Sequence, residues 1–316
     1  MRTPSPRWRG VVLLVAAALF IGGVVLSLDA LDIRAADVTW WPLAVVLLVG
    51  TPATIVVNAA ELRAMVTCLD PDRQMSWSRS IRVVVIATAA NLLPLPGGAM
   101  VRIHALRGPG IGVGTATSMT ALAAVLWVST AVVLAGSAGL STAPLVGLLG
   151  VLLGVVGVAV SLAATRGVAG AWRPRAMARL VAVEVTTTLI HAARLYLVLI
   201  AIAIAVTPSQ VLVLGAGSPL AAAAGVFPSG LGLAELLSAL LAPLVALPAA
   251  AGLTATALAR VLGLLGTAPF AIALGIRDTV ELPPDATAGG DPDDRHDEDD
   301  GGQDEAVDDG GRDDDR

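Results

Sequence analysis

The chain has 316 residues, 56% of them hydrophobic, with a mean hydropathy of +0.81. Soluble domains average roughly 45–50% apolar residues, so an ordinary water-soluble fold is excluded: it could not hide this much apolar surface. The net charge of -5 conceals a segregation, because 17 of the 25 acidic residues fall between Asp278 and Arg316, and the rest of the chain is basic.

The apolar residues fall in unbroken runs of about 18 or more, the length that crosses a bilayer, rather than in a surface-helix pattern. Every basic residue is Arg. Arg2, Arg7 and Arg9 precede the first run, residues 10–28, which has the charged start and apolar core of a signal peptide but no small-x-small cleavage site. It reads as an uncleaved first span. A loop with Asp29, Asp32 and Asp37 follows, then a second span over 40–57, then a loop holding Arg63, Arg73, Arg79 and Arg82. Basic loops stay on the cytoplasmic side, so the N-terminus and this second loop are expected inside.

The next apolar arm, 81–93, is too short to cross, since 13 helical residues rise about 20 Å against a core of about 30 Å. It stops at Pro94-Leu95-Pro96-Gly97-Gly98, and Arg102, His104 and Arg107 follow. Two full spans come next, 111–135 and 144–164, ending in a loop with Arg166, Arg173, Arg175 and Arg179. If that loop is inside, 81–101 must enter and leave on one face, as a re-entrant hairpin. The second half repeats the logic with opposite sense. Residues 180–206 cross outward, an arm over 211–227 ends at Pro228-Ser229-Gly230-Leu231-Gly232, a second arm returns over 233–247, and 253–276 cross back.

The expected fold class is therefore an all-α membrane protein: a polytopic helical bundle of about six full spans plus two re-entrant broken-helix hairpins in an inverted repeat. The transmembrane domain covers 1–277, with inverted halves at about 10–137 and 143–276. The acidic segment 278–316 has too few apolar groups to offset its ordering entropy and is expected to be a disordered cytoplasmic tail. A competing reading makes both Pro/Gly clusters ordinary turns between short spans; the two differ in which side Arg102 and Arg107 face.

Irregular backbone at membrane depth is tolerated where it lines a watered cavity, so the breaks at Pro94, Pro96, Gly97 and Gly98, and at Pro228, Gly230 and Gly232, predict one. Asn91, Arg102 and Arg107 flank the first break and Glu235 follows the second. Guanidinium forks and the free amides of a helix start both suit a phosphate-bearing headgroup. Arg102 and Arg107 could equally be interfacial anchors. Glu184, His191 and Arg194 share one face of their span, where ionisable groups are costly and turn inward. Glu184 and Arg194 are about 15 Å apart along the axis and need other partners, for which Arg260 and Glu61 are candidates. Fixed ion pairs between helices are the plainer alternative. Gly147, Gly150, Gly154 and Gly157 permit close helix packing.

No catalytic residue, cofactor or metal site is expected. Cys68 is the sole cysteine, so no internal disulfide can form, and His104, His191 and His296 lack metal-ligand spacing. The run Gly108-Pro109-Gly110-Ile111-Gly112-Val113-Gly114 lacks the Lys-Ser/Thr and the preceding strand of a phosphate loop.

At Leu93-Pro94-Leu95-Pro96-Gly97-Gly98 with Arg102, and at Phe227-Pro228-Ser229-Gly230-Leu231-Gly232-Leu233-Ala234-Glu235 followed by Arg260, the chain resembles the lysylphosphatidylglycerol synthase transmembrane family. The similarity covers about residues 10 to 276. That family commonly has an acidic residue three positions before the first Arg, where this chain has Ala99. The resemblance implies a flippase-like domain that translocates or binds a phospholipid or polyprenyl-linked headgroup, without the soluble aminoacyl transferase fused to some members.

The expectation is thus a lipid translocase or lipid-binding protein of the bacterial inner membrane, both termini cytoplasmic, with a headgroup site near Arg102, Glu235 and Arg260. Its partners would be membrane lipids, and nucleic acid is not expected. The alternative is a non-transporting subunit that positions a cell-envelope enzyme, touching a membrane or cytoplasmic protein through the acidic tail.

Overall fold

A computed structural model of the chain describes residues 37–91, 97–108, 111–170, 173–224 and 232–273, together with 29 and 31. The expected first span, the break residues Pro94, Pro96, Pro228 and Gly230, and the acidic tail lie outside these described residues. Within them the fold is all-α: a polytopic bundle in which five helices are long and apolar enough to cross a membrane.

The second span is a continuous rod over Trp40–Leu69, built from α1 (Trp40–Val45), a π-turn (Val46–Gly50) and α2 (Thr51–Leu69). Pro52 cannot donate to the turn before it, which favours the widened turn there. The hydroxyls of Thr51 and Thr54 return hydrogen bonds to the carbonyls of Val46 (3.3 Å) and Gly50 (2.8 Å). The sequence reading ended this span at residue 57 and put Arg63 in a loop; instead the helix continues for 12 more residues, to Leu69. Glu61 faces inward on it, and the Arg63 guanidinium lies 4.3 Å from the Trp77 ring centre.

The first hairpin consists of α3 (Trp77–Ala90) and α4 (Gly97–Leu106). Ser76 starts α3 by accepting from the Arg79 N–H, as a helix cap should. The Gly98 N–H donates to Asn91 Oδ1 (3.1 Å), and a Cβ at Gly97 would sit 2.6 Å from the Ala90 carbonyl, so the arms meet with no room for side chains. Arg73, just before α3, donates to the carbonyls of Ala105, Leu106 and Arg107 at the end of α4. The hairpin therefore closes at the end where it began.

α5 (Val113–Gly139) and α6 (Pro144–Ala169) form a tight antiparallel pair, and α7 (Pro174–Ala201) lies against α2. Pro174 opens α7 at a position where a missing N–H costs nothing, and Ala203, at φ 59°, turns the chain after its end. α7 thus starts and stops earlier than the 180–206 expected from hydropathy.

The second hairpin has an outgoing arm in two pieces, α8 (Pro208–Gly215) and α9 (Gly217–Ala224), where a single arm was expected. The interruption at Ala216 frees the Leu214 carbonyl, and the Ser238 hydroxyl donates to it at 3.2 Å. The returning arm is α10 (Leu233–Leu241) with a 3-10 turn (Ala242–Val245), followed by α11 (Ala249–Ala273). Gln210 Nε2, at the start of α8, donates to the Val245 carbonyl (2.8 Å), so this hairpin also closes on itself.

The two closures lie at opposite ends of the bundle. Arg173, before α7, donates to the Thr67 and Cys68 carbonyls at the end of α2, which places Arg73, Arg79, Arg107 and Arg173 together at one end. At the other end the Thr39 N–H donates to the Ala201 carbonyl (2.8 Å), beside the start of α8. Each hairpin also crosses to the other half: α3 packs on α11, and α8 and α9 pack on α5. Each returning arm packs on its own half, α4 on α5 and α10 on α11. Each hairpin therefore packs against both halves of the chain.

Candidate functional site

The site is organised by α7, which carries Glu184, His191 and Arg194 on one face and packs against α2, α5, α8 and α11. Around it the structure gathers the expected residues into two clusters, not one. Glu184 and His191 are separated by about 10 Å along the helix by its rise.

The first cluster lies where α2, α4 and α7 meet. Arg102, on α4, donates through one guanidinium nitrogen to both Glu61 oxygens at 3.0 Å. Glu184, 1% exposed, sits beside this pair, and the charges acting on it are those of Glu61 and Arg102. Its Oε1 has no hydrogen-bond partner. The carboxylate that pairs with Arg102 therefore comes from another helix, 41 residues back along the chain. Glu61 had been a candidate partner for Glu184 or Arg194; it pairs with Arg102.

The second cluster lies where α7, α9, α10 and α11 meet. Glu235, in the first turn of α10, pairs with Arg260 Nε at 3.0 Å and accepts from the Gly232 N–H at 2.8 Å. Gly232 has φ +82°, a conformation that other residues adopt only under strain, so the break directs its amide at this carboxylate. His191 Nε2 shares a 3.1 Å hydrogen bond with the Ser218 hydroxyl, and the neighbouring charges are Arg194 and Arg260.

Arg194 makes no ion pair among the described residues. Its stem passes Gly50 and its guanidinium passes Gly263, and an added Cβ at either would stand 2.9 Å or 2.7 Å from it. It ends on the Ala259 carbonyl (2.8 Å) and the Thr54 hydroxyl (3.3 Å), so it links α7 to α2 and α11. Asn91 ties the two arms of the first hairpin, and Arg107 is exposed at that hairpin's base, away from both clusters. Thr54, Ser218 and the Glu61–Arg102 pairing were not anticipated.

A cavity of about 120 Å³ lies between α5, α6, α8, α9 and α10, lined by Gly136, Gly139, Gly147, Val213, Leu220 and Leu241 among others. No charged side chain borders it, and neither ion pair does. Among the described residues Arg102, Glu235 and Arg260 fall in two charge clusters, and the apolar cavity is a separate space. The reason is mutual neutralisation: each Arg finds a carboxylate on a helix packed against its own, and the pair closes over itself.

Compared with models of known protein families and with curated proteins, the chain matches none. What the fold and the site define is a class: a multi-pass, all-α membrane protein with ionisable residues inside its helical bundle.

Proposed function

We propose that this protein binds and translocates a lipid with an anionic, phosphate-bearing headgroup in a bacterial inner membrane, as the resemblance to the lysylphosphatidylglycerol synthase transmembrane family implies. The observation that carries the reading is the pair of hairpins closing at opposite ends, each bringing one member of an ion pair into the bundle interior: Arg102 on α4, and Glu235 on α10. Charged groups are costly at membrane depth and mark substrate paths. A phosphate can displace Glu61 or Glu235 from its guanidinium, because two of its tetrahedral oxygens present a fork of acceptors like that of a carboxylate. The Glu235 carboxylate already occupies the start of α10, where helix geometry favours an anion. Arg-rich loops face the cytoplasm, which supports reading the Arg-bearing end of the bundle as the cytoplasmic one.

Proteoliposomes carrying fluorescent phospholipids test the reading. Wild type should move an anionic headgroup between leaflets, and the Glu235→Ala, Arg260→Ala double variant should do so at least about tenfold more slowly, the worth of one charge-assisted hydrogen bond. Equal rates for both proteins with every headgroup would contradict it.

A second reading draws on the same ion pairs. Carboxylates that already satisfy Arg102 and Arg260 also suit a closed, non-transporting subunit that positions an envelope enzyme through its acidic tail. Deleting 278–316 separates the two: a translocase keeps its lipid movement, and a docking subunit loses its partner.

A further inference from the structure

The first cluster holds two carboxylates and one guanidinium. Arg102 spends its contact on Glu61, which it grips symmetrically at 3.0 Å on both oxygens. Glu184 is left 1% exposed with Oε1 unpartnered. Among the described residues its surroundings offer no second cation. From α2 the neighbouring charge is Glu61 and from α4 it is Arg102. α1, the π-turn, α5 and α8 also pack on α7 and carry no ionisable side chain. His191 and Arg194 lie two to three turns further along α7, and Arg194 is held by Ala259 and Thr54 while Arg260, on α11, is held by Glu235. A buried excess negative charge beside a second carboxylate is not sustainable in an apolar interior; two carboxyls sharing a site accept one proton between them.

We propose that Glu61, Arg102 and Glu184 form a proton-binding site, in which Glu184 Oε1 takes one proton from water and Arg102 neutralises the other carboxylate. The carboxylate and the proton give a neutral carboxyl, so the cluster as a whole becomes neutral. When the proton leaves to water, Glu61 and Glu184 compete for the same guanidinium. Arg102 is suited to the exchange: its side chain is 25% exposed, and it stands on the ten-residue helix α4 that starts at the first break. Proton occupancy would thereby set which of the two long helices, α2 or α7, holds the hairpin. The site shares Arg102 with the proposed headgroup contact, but its protonation needs no headgroup, and its test adds none.

Infrared spectroscopy of the purified full-length protein, in water and in deuterium oxide, reads the stretch of a protonated carboxyl directly. Carboxylates in contact with water are ionised at neutral pH and leave that window clear. Wild type at neutral pH should show one deuterium-sensitive carboxyl band that disappears reversibly as the pH is raised. Glu184→Gln, which mimics the neutral form and should fold, should lack the band. Glu61→Gln should also lack it, because Glu184 would then be ionised against Arg102. A wild-type spectrum indistinguishable from that of Glu184→Gln, or a Glu61→Gln spectrum that keeps the band, would overturn the site.

Discussion

Replacing Glu235 by Gln should destabilise the protein by about 3–5 kcal/mol, the usual cost of removing one partner of a buried ion pair. The side chains of Arg260 and Glu235 are 17% and 4% exposed, so neither water nor lipid headgroups can take over the lost contact easily. Gln keeps an oxygen for the Gly232 N–H, so the change isolates the charge rather than the helix start. The double variant Glu235→Gln, Arg260→Gln should recover most of the loss, because no bare charge remains. Glu61→Gln should cost less, since Arg102 is 25% exposed and Glu184 stands ready as a second partner. Reversible unfolding in mixed micelles measures all four. A Glu235→Gln protein as stable as wild type would mean that Arg260 is reached by water.

The second large effect is expected in the α5–α6 pair. A Cβ at Gly147 would meet the Gly136 carbonyl oxygen and the Leu140 nitrogen at 2.8 Å, and one at Gly154 would meet the Ser129 oxygen and the Val133 nitrogen at 2.8 Å. These are backbone atoms and cannot rotate away, so the helices must separate along their length. Gly147→Val or Gly154→Val should therefore cost about 1–3 kcal/mol or more by overpacking. Gly167, on the same α6 but with open space around it, is the internal control: Gly167→Ala should be neutral or stabilising by up to about 1 kcal/mol, the helix-propensity difference. The same separation should disturb the apolar cavity, which Gly136, Gly139, Gly147 and Gly150 line.

Hydropathy and charge made the long spans legible, because a run that must cross lipid has to be apolar throughout and its flanks record its orientation. α5, α6 and α11 lie within a few residues of their expected bounds for that reason. The hairpins were legible from arms too short to cross, with Pro and Gly at their tips. The pairings were not. Arg102 finds Glu61 41 residues away, and Arg194 reaches a backbone carbonyl 65 residues away, contacts set by helix packing and by nothing local. One signal was available for Glu61. It continues the buried stripe of Ile55, Ala59, Leu62 and Met65 at helical spacing, which would have extended the span past it and turned its carboxylate inward. Ending that span at residue 57 hid the continuation. The two-cluster site was hidden for another reason: the sequence shows which charges are interior and not which helix faces which.

The account rests on two hairpins that dip into the bilayer from opposite faces, and side-specific cysteine labelling of intact and inverted vesicles measures this most directly. In a Cys68→Ala background, a cysteine replacing Arg107 at the base of the first hairpin should label from the same face as one replacing Ser78 at its start. A cysteine replacing Ser209, at the start of the second hairpin, should label only from the opposite face. Labelling of position 107 from the face that reaches 209 and not 78 would make α3 and α4 a crossing segment and end the account.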